Sequence, residues 1–206
     1  MNDVLRWVEA ERLSFAELLE DLSDDEWAAD SLCAGWTVLD VAAHLTLSTR
    51  MTRGMSVWGA IKARGSFDRM VAELARRRAT QYSRSELTGQ IRATAGSDRR
   101  APGAGPLDPL LDVLVHGQDI ARPLGRARAM PMEPAIAALE HVRTSAFYGA
   151  RKRLRGLKLV ATDAAWSGGD GTGELHAPLS DLILLATGRP AALPNASGPG
   201  AARLRL

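Results

Sequence analysis

Apolar residues recur at steps of three and four over most of the first 150 residues. That spacing places them on one face of an α-helix, which predicts amphipathic helices that bury their apolar faces against each other. Short connections between such helices are typical of a helical bundle. The predicted helices cover residues 3–21, 38–64, 67–82, 86–95, 107–123 and 134–149.

Capping residues mark the starts of several of these helices. Ser23 is followed three residues later by Glu26, the spacing of a capping box on a short turn. Thr37 is the expected N-cap of the long second helix, and Ser85 that of the helix over 86–95.

The pattern changes after Arg151. Residues 156–178 mix β-type side chains with glycine-rich turns. Residues 179–188 return to helical spacing, and 202–206 alternate like a short edge strand. We therefore predict a mainly α protein with a helical bundle over residues 1–150 and a small α+β domain over residues 151–206.

Composition narrows the classes of partner. The chain has 206 residues, 46% of them apolar, and a net charge of only +2, which gives little support to nucleic-acid binding. It has no apolar leader segment and no apolar run long enough to span a membrane. Its single cysteine, Cys33, excludes an internal disulfide and fits a reducing compartment. We expect a cytoplasmic protein without nucleic-acid or membrane partners.

Two segments share one five-residue frame, DVAAH at 40–44 and DVLVH at 112–116. Each has an aspartate four residues before a histidine, so both side chains lie on the same helix face. Two such ligands from one helix and a third from a facing helix could hold a divalent cation and leave positions open for a substrate. The alternative is a histidine packed in the core and an aspartate that caps a helix. The candidate ligands are Asp40, His44, Asp112, His116 and Asp119.

Two longer segments around these frames carry a family resemblance. SLCAGWTVLDVAAHL and DVLVHGQDIARPLG resemble the hallmark segments of the mycothiol-dependent maleylpyruvate isomerase family, whose members are DinB-like four-helix bundles with a small C-terminal domain. The resemblance implies a divalent metal, typically zinc, held by His44, Asp112 and His116. The family's acid is a glutamate, whereas Asp112 is one methylene shorter. Asp40 would then belong to the N-terminal turn of its helix.

The resemblance also implies a chemistry. A bound metal favours the thiolate of mycothiol, the low-molecular-weight thiol of actinobacteria, as cosubstrate. The reactions open to it are thiol transfer to a small electrophile, or isomerisation by reversible thiol addition to a conjugated double bond. The family's isomerase uses an arginine of the C-terminal domain to hold an anionic group. Arg189 is the candidate equivalent, and its alternative role is to cap the last carbonyls of a helix.

Two non-enzymatic functions remain open. The chain could be a non-catalytic member that binds a small ligand, or a homodimeric scaffold that pairs through a stripe of Met51, Met55 and Trp58. For Asp119, the alternatives are a hydrogen bond to a ligand histidine and a structural role at the loop before the second helix. Cys33 has no histidine or lysine neighbour in the sequence, which leaves a reactive thiol unsupported.

Overall fold

The computed structural model describes residues 3–55 and 66–204 of the chain. Its α-helices in these ranges are α1 (Asp3–Glu20), α2 (Asp24–Ala28), α3 (Val38–Leu45), α4 (Phe67–Gln81), α5 (Arg84–Ala93), α6 (Asp108–Ala121), α7 (Met132–Thr144), α8 (Ala150–Arg153) and α9 (Leu179–Ala186). Its strands are β1 (Leu157–Ala161), β2 (Ser167–Gly168) and β3 (Gly173–Ala177). The predicted mainly α architecture with a small α+β portion is confirmed. No helix within the described ranges combines the length and the apolar content needed to cross a membrane.

The chain divides into two compact units, Met1–Arg128 and Ala129–Leu206. The boundary predicted from the sequence lies at residue 150. The segment between the predicted boundary and the one in the structure is mainly helix α7, which belongs to the second unit. This helix packs against α9 of the second unit. Periodicity alone shows that a helix has an apolar face, but not which neighbour that face contacts.

The first unit is a bundle in which α3 packs against α4, α5 and α6, while α1 packs against α5 and α6. The side chains between these helices are almost fully removed from water, which makes this cluster the main apolar stabilisation of the unit. Its members are Phe15, Ala16, Leu19, Trp27, Val38, Val41, Ala42, Leu45, Ile91, Val113 and Ile120.

In the second unit, the three strands have the order β2-β1-β3, with β1 antiparallel to β2 and parallel to β3. Burial alternates along β1 and along β3, so one face of the sheet is covered and the other is partly open. Helix α9 packs against β1 and buries most of its length.

The prediction of one continuous helix over residues 38–64 is wrong. Helix α3 ends at Leu45, and the following residues form turns. The Thr46 hydroxyl donates to the carbonyl of Ala43 at 2.7 Å, and the Ser48 hydroxyl donates to that of Leu45 at 2.9 Å. Such side-chain bonds compete with helix continuation. Residues 56–65, which include Trp58 of the predicted dimer stripe, lie outside the described residues.

Two smaller predictions also change. Ser83, and not Ser85, caps α5, because the Ser83 hydroxyl accepts from the backbone of Glu86 and the Glu86 carboxylate accepts in return. The predicted C-terminal strand is replaced by a 3-10 turn at Ala201–Arg203, and Arg205 and Leu206 lie outside the described residues. The capping box predicted from Ser23 is present, and Thr37 is the N-cap of α3 as expected.

Candidate metal centre

Helices α3 and α6 bring three of the predicted ligands together. His44 projects from α3, while Asp112 and His116 stand one turn apart on α6. The Oδ1 atom of Asp112 lies 3.3 Å from His44 Nε2 and 3.4 Å from His116 Nε2. The two imidazole rings are 4.8 Å apart between centroids. The two DVxxH frames therefore converge on one place.

These separations suit a tetrahedral cation. Zinc holds nitrogen and oxygen ligands at 2.0–2.2 Å, so two ligands of one tetrahedral ion are about 3.3 Å apart. Both nitrogen-to-oxygen distances at Asp112 match that separation. The shorter acid thus reaches both histidines without a helix shift or an intervening water.

The three side chains are mostly buried, with exposed fractions of 17% for His44, 28% for Asp112 and 12% for His116. Burial acts to raise the pKa of Asp112, but the charge and hydrogen bonds of the two histidines outweigh it and lower that pKa. Burial acts to lower the pKa of His116, yet hydrogen bonds to Asp112, Asp119 and Cys33 raise it well above its usual value. Without a cation, the protonated form of the His116 imidazole is therefore favoured.

Asp119 and Cys33 contact His116 on the ring edge that faces away from Asp112. The Asp119 Oδ2 atom lies 2.8 Å from His116 Nδ1, and its side chain is fully buried. The Cys33 thiol donates to the same oxygen at 3.1 Å, and its sulfur lies 3.7 Å from His116 Nδ1. Because a carboxylate only accepts, Asp119 fixes a proton on Nδ1, and the opposite nitrogen, Nε2, lies 3.4 Å from Asp112 Oδ1.

Both roles considered for Asp119 are present. Its side chain bonds His116, and its backbone carbonyl accepts from the amide of Leu32 in the loop before α3 at 3.0 Å. Cys33 was missed as a neighbour of the site, because it stands 86 positions before Asp119 in the chain. No local sequence signal joins two residues at that separation.

The loop before α3 shapes the side of the site next to His44. Gly35 adopts a positive φ of 72°, a conformation that favours glycine, and its carbonyl accepts from the Arg76 guanidinium at 3.1 Å. Trp36 packs against the core cluster and presents its ring at 5.5 Å to that of His44 in an edge contact. Asp40 accepts from the Thr37 backbone amide as part of the α3 capping box. It is a residue of the first helical turn, as the resemblance implied.

A family model described as the mycothiol maleylpyruvate isomerase N-terminal domain matches residues 8–136. The chain belongs to this family. A crystal structure of the mycothiol-dependent maleylpyruvate isomerase matches with a TM-score of 0.66 and 13% identity, over 97% of this chain and 92% of that chain. A histidine-to-alanine mutant of that isomerase matches with a TM-score of 0.64 and 12% identity, over the same shares. No curated protein matches.

Membership in the isomerase family agrees with the predicted DinB-like bundle, and the two structural matches show that the fold is shared. At 12–13% identity they carry no residue roles to this chain.

Gly117, the residue after His116 on α6, has a packing reason in this chain. The guanidinium of Arg128 crosses α6 at Gly117, where an added Cβ would lie 2.4 Å from Arg128 Nε. Arg128 also pairs with Glu11 at 3.0 Å, and both side chains are buried. Gly117 thus lets a buried ion pair contact the helix that carries His116 and Asp119.

Arg189 belongs to the second unit, where its guanidinium donates to the carbonyl of Thr187 at 3.0 Å. This contact is the capping alternative at the end of α9. Its catalytic role stays a prediction. His176, also in the second unit, lies 3.1 Å from the Glu174 carboxylate.

Proposed function

We propose that this protein is a metal-dependent enzyme that uses mycothiol to attack a small electrophile, as a thiol transferase or an isomerase. The observation that carries the proposal is the placement of Asp112 Oδ1 within 3.3 and 3.4 Å of the Nε2 atoms of His44 and His116. Membership in the mycothiol maleylpyruvate isomerase family supports the choice of thiol.

His44, Asp112 and His116 would hold the divalent cation, and zinc suits two imidazoles and one carboxylate. When bound, the cation supplies a positive charge that favours the thiolate of mycothiol near neutral pH. Three protein ligands leave a position open for a thiol, which a closed structural site does not.

The other residues of the site prepare these ligands. Asp119 orients the His116 ring through Nδ1, and Trp36 packs against the ring of His44. In the described part of the chain, His44 Nδ1 is buried without a hydrogen-bond partner. Packing against Trp36, and not a polar contact at Nδ1, therefore holds that ring in place.

The thiolate can act in two ways. In transfer, its sulfur forms a bond to an electrophilic carbon, and the displaced electron pair leaves with a leaving group. In isomerisation, the sulfur adds to a conjugated double bond, the resulting single bond rotates, and elimination of the thiolate restores the double bond in its other geometry. We propose that Arg189 holds an anionic group of the substrate, so that Arg189→Gln would raise KM more than it lowers kcat.

The test measures two quantities on tag-free protein: its metal content, and its rate of mycothiol consumption with a generic electrophile. We expect about one zinc per chain and a rate above that of buffer for the wild-type protein. His44→Ala should lose both, and His176→Ala, a histidine of the second unit, should lose neither. A metal-loaded wild-type protein with no rate above buffer would favour the non-catalytic ligand-binding alternative. The cytoplasmic location and the homodimer also stay predictions.

A further inference from the structure

His116 presents its two ring nitrogens to two different groups of ligand atoms. On the Nε2 side are His44 and Asp112, the groups of the proposed function. On the Nδ1 side are Cys33 and Asp119. We call Cys33, Asp119 and His116 Nδ1 together the thiolate set. The ligand atoms of each group lie within 4.8 Å of one another.

The thiolate set has the composition and nearly the spacing of a metal site. Zinc binds sulfur at about 2.3 Å and nitrogen or oxygen at 2.0–2.2 Å, which separates tetrahedral ligands by about 3.3–3.6 Å. The Cys33 sulfur lies 3.7 Å from His116 Nδ1 and 3.1 Å from Asp119 Oδ2. The Asp119 oxygen, at 2.8 Å from Nδ1, would have to move by roughly half an ångström. Of the three residues, Cys33 is half-buried and Asp119 is fully buried.

We propose that the thiolate set binds a thiophilic divalent cation, such as Cd²⁺, as an alternative to the site at His44. Thiolate is a soft ligand that selects soft cations, whereas the group at His44 offers only nitrogen and oxygen. Binding releases the thiol proton of Cys33 and the proton on Nδ1 of His116. Cation binding by the thiolate set does not require a cation at His44. The proposal therefore does not rest on the proposed function.

One proton makes the two sites exclusive. A neutral imidazole carries a single N–H. When that proton lies on Nδ1 and is donated to Asp119, the Nε2 lone pair is available to the group of His44 and Asp112. When it lies on Nε2 and points to Asp112 at 3.4 Å, the Nδ1 lone pair faces Cys33. The chain should therefore hold one cation at a time, and the softness of the cation should decide which group binds it.

Cadmium absorption tests this directly, because a Cd²⁺–thiolate bond gives an ultraviolet charge-transfer band and Cys33 is the only cysteine in the sequence. Titration of tag-free protein with Cd²⁺ should give a band that saturates at about one equivalent. His44→Ala should keep the band, and Cys33→Ser should lose it. In the wild-type protein, one equivalent of Cd²⁺ should slow alkylation of Cys33 at least tenfold.

Absence of the band in the wild-type protein, with no protection of Cys33 from alkylation, would overturn the proposal and leave Asp119 and Cys33 as supports of His116 only. Saturation at two bound cations per chain would contradict the claim that the two sites, which share His116, exclude each other. The proposed function is judged separately, from zinc binding by Cys33→Ser. That variant keeps His44, Asp112 and His116, so its zinc binding does not depend on the cadmium result.

Discussion

His116 Nδ1 lies 2.8 Å from Asp119 Oδ2, and the Asp119 side chain is fully buried. A carboxylate in this position orients the imidazole and increases its strength as a ligand through the opposite nitrogen. The relationship links the loop before α3, through Cys33 and Leu32, to the candidate metal ligands on α6.

Asp119→Asn should weaken zinc binding by about 10–100-fold, because the ring of His116 loses its charged partner. Competition with a chelator of known affinity measures the change. Asp98→Asn, an exposed aspartate of the loop after α5, is the matched control and should bind zinc like the wild-type protein. Equal affinities of the two variants would contradict a positioning role for Asp119.

Zinc affinity should rise with pH. The pKa of His116 is raised by its hydrogen bonds to Asp112, Asp119 and Cys33, so in the metal-free protein zinc must displace a proton from it. Below the raised pKa, displacement of one proton increases affinity by about tenfold per pH unit. Calorimetry in buffers of different ionisation enthalpy should record proton release on binding. A pH-independent affinity without proton release would show that His116 is not a ligand.

Gly117→Ala should destabilise the protein by about 1–3 kcal/mol, because the new Cβ overlaps the buried Arg128 side chain. Gly89→Ala is the matched control: Gly89 lies in helix α5, and its added Cβ meets no atom within 4 Å. Alanine there should stabilise the protein by about 0.5–1 kcal/mol. Urea unfolding measures both. A loss at Gly117 no larger than the change at Gly89 would mean that Arg128 is free to move aside.

Glu26→Gln should reduce the loss of stability in acid. Hydrogen bonds from Arg126 and from Ser23 lower the pKa of Glu26 to about 2. Since this folded-state pKa is below the usual value of 4.5, the ion pair stabilises the protein above about pH 4.5, and that contribution disappears as the pH falls toward 2. Urea midpoints at pH 5, 4 and 3 should therefore fall less steeply in Glu26→Gln. Glu73→Gln, at an exposed position on α4, should keep the wild-type slope.

Local sequence rules predicted the parts of the site that lie within one helix. The spacing of Asp112 and His116 placed both on one face of α6, and Thr37 as the expected N-cap located the start of α3. The resemblance then indicated that His44 would join them, and the structure brings the three together.

Contacts between distant segments could not be predicted in this way. Cys33 meets Asp119 across 86 positions, and Arg128 meets Glu11 across 117. The end of α3 at Leu45 was also not predicted, because the apolar pattern continues past it. The hydroxyls of Thr46 and Ser48 bond backbone carbonyls there and compete with continuation of the helix.

The most direct test of the central claim is anomalous diffraction at the zinc absorption edge from crystals of tag-free protein grown with zinc. The account predicts one strong peak per chain at about 2.0–2.2 Å from His44 Nε2, Asp112 Oδ1 and His116 Nε2. A zinc-loaded crystal with no peak at these three atoms, or with its peak bonded elsewhere, would contradict it.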